Sequence, residues 1–248
     1  MPQWITDTVG SFWEAAGGPE RFPRRLEEAV LWALPLAVLK LSRLWVADVE
    51  DWLANRGIEF RLAVPNRSLR GCLVAHAGKG IVLLDGTDPE DEQRFSLAHE
   101  SAHFMVDYLE PRQKALTAMN ESIVEVLDGL RPATREERIN ALLTGQTIGV
   151  HTHLMDREPD GRIGCRDTAG AEGRADRLAL ELLAPASEVR RRLARGAGPQ
   201  ASYDERVRRT LGLLAGTFGV PLPVADDYAR WLCRVWFGEA DVREWLGM

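Results

Sequence analysis

TDPEDEQRFSLAHESAHFMVDYL, residues 87–109, is the stretch on which the reading of the chain turns. Its beginning has the marks of a helix N-terminus: Asp88 as N-cap, Pro89 at the first helical position and Asp91 in the capping-box place. Within a helix, His99 and His103 lie one turn apart and point the same way, so both imidazoles can reach one ion at about 2.0–2.1 Å. Glu100 lies about 100° further around the axis, near such an ion but outside its coordination sphere. That position suits a general base, which takes a proton from metal-bound water without displacing it. The chain has 5 His and 37 Asp plus Glu in 248 residues. With that composition a His-carboxylate-x-x-His pattern arises by chance only about 0.015 times. A catalytic zinc also wants a third protein ligand and an open fourth position.

Upstream, the apolar pattern has strand length. IEFRLAV (58–64), LRGCLVAH (69–76) and GIVLLDG (80–86) are separated by PNRS and AGKG turns, which predicts a small three-stranded, largely antiparallel sheet next to the histidine-bearing helix. Residues 24–55 read as helices broken at Pro35. The second segment, LAVLKLSRLWVADVEDWLANRG, carries Leu39, Trp45, Val49, Trp52 and Leu53 at helical spacing before Gly57 stops it. Downstream of Tyr108 the pattern predicts a helix over 134–143, a strand-like QTIGVHTHLM (146–155) and a helix AEGRADRLALELLA ending at Pro185. Ser187 is then placed to cap SEVRRRLARG, and two or three helices fill 203–248. The fold class expected is α+β, mostly helical, in one domain over 1–248. Its parts are N-terminal helices (1–57), a core (58–185) with an insertion at about 110–170, and C-terminal helices (186–248).

The best candidate for the third ligand is Glu172, which opens a helix in which Asp176 follows one turn later; EGRAD reads equally as an acidic first helical turn stabilised by the dipole. A carboxylate at Asp176 can accept a hydrogen bond from the outer nitrogen of a ligand histidine and fix its tautomer. The rival is Glu121, 18 positions past His103 with Glu125 four further on, but without the surrounding alanines and leucines.

RFSLAHESAHF followed by EGRADRLALELLAP resembles the ImmA/IrrE family of cytoplasmic zinc metallopeptidases. Arg94, Phe95 and Ser96 match the family's lead-in, with serine for threonine; His99, Glu100 and His103 match its metal and base positions. Glu172, Ala175, Asp176, Ala179, Leu182, Leu183 and Pro185 match its second block, with Leu178 for phenylalanine and Ala102 for the glycine before the second histidine. The resemblance covers about residues 58–108 and 170–186, and the 69 positions from His103 to Glu172 exceed the family's usual interval, implying an insertion near the site. It implies a zincin-like minimal core, a Zn2+ cofactor and hydrolysis of a specific protein substrate. That substrate is typically a helix-turn-helix transcriptional repressor, cut as a regulatory event. The contrasting expectation is a non-catalytic regulator that binds a repressor or DNA with the same fold.

Other features carry both a functional and a plainer reading. VHTH (150–153) puts His151 and His153 on one face of a strand, as a substrate or transition-state contact, a second metal site or two partly exposed histidines. Tyr108 is a possible donor to the same transition state or an ordinary packing residue. LLAGTFGVPLPVADDYARWL (213–232) imitates a helix-turn-helix, but Pro221, Pro223, Asp226 and Asp227 suit a structural helix pair better than a DNA groove. The tryptophans, including Trp32, Trp45, Trp52, Trp231 and Trp236, read as core. A net charge of −6 argues against direct nucleic-acid binding. The longest apolar run, AVLWALPLAVL (29–39), is too short to span a bilayer. Three scattered cysteines and a start without a signal-peptide pattern point to a reducing cytoplasm. Oligomeric state is not readable from the pattern.

Overall fold

The computed structural model describes residues 1–58, 60–118, 123–157, 170–195 and 202–238. The chain opens with α1 (Gln3–Ala15), α2 (Leu26–Ala33) and a strand, β1 (Leu36–Leu41). Then follow α3 (Val46–Ala54), the hairpin β2 (Leu69–His76) and β3 (Lys79–Asp85), and α4 (Glu90–His103). Helix α4 continues as a π turn over Phe104–Leu109 into α5 (Glu110–Ala118). After α5 come α6 (Ile123–Leu127), α7 (Arg135–Thr144) and β4 (His151–Asp156). Then come α8 (Ala171–Leu183), α9 (Ala186–Ala194), α10 (Tyr203–Gly216) and α11 (Leu222–Phe237).

The class is α+β as expected, but the sheet is corrected: it has four strands in the order β1-β3-β2-β4 and is mixed. β1 runs parallel to β3, while β2 is antiparallel to both β3 and β4. LAVLKL is a strand rather than the start of a helix. Its period is two: Leu36 and Val38 face one core, Leu39 and Leu41 the other. The helix begins only at Val46, where the Asp48 carboxylate accepts from the Trp45 N–H at 2.8 Å. IEFRLAV is not a strand among its described residues. Ile58, Phe60 and Leu62 lie under α3 in the second core, and the place beside β2 is taken by β4.

Both faces of β2 are covered, which is why LRGCLVAH is apolar almost without interruption. Leu73 and Ala75 join the main core with α1, α2, α4, α8, α10 and α11; Cys72 and Val74 join the smaller core under α3. α4 lies against the main-core face of β2 and β3. At Gly71 an added Cβ would stand 3.3 Å from Glu100 Cγ, so the missing side chain lets α4 seat its glutamate on the sheet.

Several local expectations shift. α4 starts at Glu90 behind Pro89 with no side-chain cap; Asp88 instead pairs with Arg157 at 2.8 Å and lies 3.5 Å from Arg70. α9 has no Ser187 cap; the Glu181 carboxylate accepts from the Ala186 N–H at 3.0 Å. α10 and α11 form a structural pair that buries Phe218, Val220, Val224, Ala225 and Tyr228 in the main core. Trp32, at 74% exposure, and Trp45, at 42%, are not core residues. Among the described residues no helix is long and apolar enough to cross a membrane.

Candidate metal centre

α4 and α8 share the main core, where buried alanines at 98, 102, 175 and 179 keep bulk out of the space between the histidines and the acidic pair. Ala102, one position before His103, is fully buried there. On α4, the Nε2 atoms of His99 and His103 are 3.1 Å apart. On α8, Glu172 presents Oε2 at 3.5 Å from His99 Nε2 and Oε1 at 3.7 Å from His103 Nε2. β4 adds His153, whose Nε2 donates to Glu172 Oε1 at 3.0 Å. Its ring stacks on that of His103 with centroids 3.6 Å apart. Ligand atoms of His99, His103, His153 and Glu172 all lie within 4.8 Å of one another, and this group could hold a metal ion.

All three histidines use Nδ1 alike. His99 Nδ1 donates to Asp176 at 2.8 Å, His103 Nδ1 to Asp107 at 2.6 Å and His153 Nδ1 to Glu100 Oε2 at 2.9 Å. A carboxylate on Nδ1 fixes the tautomer and leaves Nε2 as the inward nitrogen, the arrangement of metal-bound histidine. Glu100 is fully buried, and its other oxygen, Oε1, has no hydrogen-bond partner. An ionised oxygen left bare in the interior is costly unless a ligand or water completes it. Three imidazoles and a carboxylate, ringed by further carboxylates, match the donor chemistry of a divalent transition metal.

The electrostatics agree. Burial disfavours charge on His99, but Asp176 and Glu172 outweigh it and push its pKa up to about 9. Burial likewise opposes charge on His153, yet Glu100 and Glu172 push it up to about 10. Burial, helped by the neighbouring charges of His153 and His99, pulls His103 down against its bond to Asp107. Hydrogen bonds from His153 and His99 hold Glu172 far below the usual carboxylate range, against burial. Glu100 is lowered too, because His153 overcomes the effect of its burial. In the metal-free chain, protons on the imidazoles supply the positive charge that these carboxylates demand; a dication can replace them.

Of the residues marked in the sequence, His99, His103, Glu172, Asp176, Glu100 and His153 are therefore brought together. His151 and Tyr108 are not part of the group. His151 Nδ1 bonds Thr147 Oγ1 at 3.1 Å, and the Tyr108 hydroxyl accepts from the Gly78 N–H at 2.8 Å, at the turn of the β2–β3 hairpin. Glu121 lies outside the described residues. Asp107 is the functional neighbour the sequence reading missed, although its place four residues past His103 was a usable signal. It sits on the π turn, a local widening that often marks functional sites. Compared with family models, curated proteins and solved structures, the chain matches none.

Proposed function

We propose that the chain is a zinc-dependent peptidase acting on a specific protein substrate, with His99, His103 and Glu172 as zinc ligands and Glu100 as general base. One observation carries this: Nδ1–carboxylate bonds turn the Nε2 atoms of His99 and His103 toward Glu172, beside a buried carboxylate oxygen without a partner. Zinc in that set supplies a Lewis acid and a water of lowered pKa. Glu100 Oε1 is the atom that takes the water's proton and returns it to the departing amide nitrogen. Asp176 and Asp107 hold the ligand imidazoles in orientation and raise their basicity. Gly71 lets Glu100 lie close on β2, which keeps its carboxylate out of bulk water.

The ImmA/IrrE-like pattern, RFSLAHESAHF with EGRADRLALELLAP, supports the same reading and extends it to a helix-turn-helix repressor as substrate and to regulation by cleavage. Cys72 and Cys233, both buried free thiols, fit a reducing cytoplasm as the setting. The test compares wild type with Glu100→Gln, each shown by metal analysis to hold zinc, on a candidate repressor. Cleavage falls about 10²–10⁴-fold in the variant if Glu100 is the base. Equal rates in the two proteins reject it.

A second reading is favoured by one contact: Glu100 Oε2 is already engaged by His153. In that reading the chain is a regulator that binds its repressor or DNA without cutting. Binding that persists while neither protein cleaves would select it.

A further inference from the structure

We infer that His153 is a fourth protein ligand of the metal, donated by the inserted strand β4 and aimed by Glu100, so that the resting centre is closed. This rests on the zinc reading above for the identity of the ion, and not on the hydrolytic step.

The first support is equivalence. His153 stands to Glu100 as His99 does to Asp176 and His103 to Asp107: Nδ1 on a carboxylate, Nε2 turned inward. A residue that merely steadied substrate would aim its free nitrogen into open space; His153 aims it at a ligand oxygen of Glu172. The second support is spacing. Four donors around a tetrahedral ion with bonds of about 2.0–2.1 Å stand about 3.4 Å apart. The His99–His103, His99–Glu172, His103–Glu172 and His153–Glu172 separations are 3.1, 3.5, 3.7 and 3.0 Å. One of these, to Glu172, is made by His153, whose ligand atom also lies within 4.8 Å of those of His99 and His103, close enough to serve the same ion.

The third support is the way His153 is presented. It sits opposite Leu73 in the antiparallel β2–β4 ladder, so its position is set by paired strands rather than by a loose loop. The outer end of that ladder is held by Arg67, which donates to both oxygens of Asp156 at 2.8 and 3.0 Å. The insertion between His103 and Glu172 thereby acquires a role: it delivers the ligand that fills the position a hydrolytic zinc keeps open. It also engages one oxygen of Glu100: Oε2 orients His153, while Oε1 stays without a partner. Release of His153 opens a position on the metal beside the free Oε1 of Glu100, which makes β4 the element on which activity depends.

The experiment uses the full chain loaded with zinc, and separately with Co2+, as wild type, His153→Ala and His153→Gln. X-ray absorption at the zinc edge is expected to count three imidazoles in wild type and two in the variants. Zinc affinity in the variants falls at least about tenfold. Acetohydroxamate, a small chelating probe, is expected to change the visible spectrum of the Co2+-loaded variants at concentrations at least about tenfold below those needed for wild type. Two imidazoles in wild type overturn the inference whether or not the variants fold, and so does equal hydroxamate binding. Two imidazoles with repressor cleavage intact sink the fourth ligand and leave the peptidase. Three imidazoles with no cleavage by any form sink the peptidase and leave the fourth ligand.

Discussion

Asp176 never reaches the ion position, yet it fixes the ring of His99 through Nδ1 and is itself 3% exposed. Replacing it with alanine leaves a buried imidazole free to turn and less basic, so zinc affinity is expected to fall about 10- to 100-fold. Competition against a chromophoric chelator measures this, and an unchanged affinity would deny Asp176 its orienting role. At this scale much of the site was legible, because its periodicity is local: His99 with His103, and Glu172 with Asp176, are each one helical turn apart. The long-range contacts were not. That His153 lies between Glu100 and Glu172 follows from which strand pairs with β2. No spacing within VHTH encodes that choice.

Among the elements, the hairpin β2–β3, helix α4 and helix α8 follow the sequence reading closely, while β1 and residues 58–64 do not. LAVLKL fits a helical and an alternating pattern equally well over six residues, and only the second core, under α3, decides between them. IEFRLAV alternates, but Ile58, Phe60 and Leu62 pack into the core under α3 and β4 takes the place beside β2. Gly80 records how tightly these elements meet. A Cβ there would stand 2.8 Å from both Leu36 Cδ1 on β1 and Phe104 Cε2 on the π turn. Gly80→Ala is therefore expected to cost about 1–3 kcal/mol of stability by overpacking. Urea unfolding reads it as a lower midpoint at unchanged slope; a midpoint equal to wild type would mean that the β1 contact yields freely.

For the molecule as a whole, protonation and metal compete for the same imidazoles. His99 and His153, raised to about 9 and about 10, stabilise the metal-free fold fully below their unfolded value near 6.5, and that contribution is lost as pH rises through 9 and 10. Zinc must displace those protons, so its binding tightens over the same window. Stability added by zinc, about 2.7 kcal/mol at a hundredfold excess over Kd, should at fixed zinc grow from pH 7 to pH 9. Calorimetric unfolding with and without zinc at the two pH values checks this, and an increment that shrinks with pH contradicts it. The donors also come from three separated segments, with 69 positions between His103 and Glu172. A ribosome adding about 5–20 residues per second therefore reaches Glu172 roughly 3–14 s after His103. Until then the nascent chain offers imidazoles without the carboxylate that completes the set. The four-donor set that could hold an ion therefore exists only once the chain has passed Glu172.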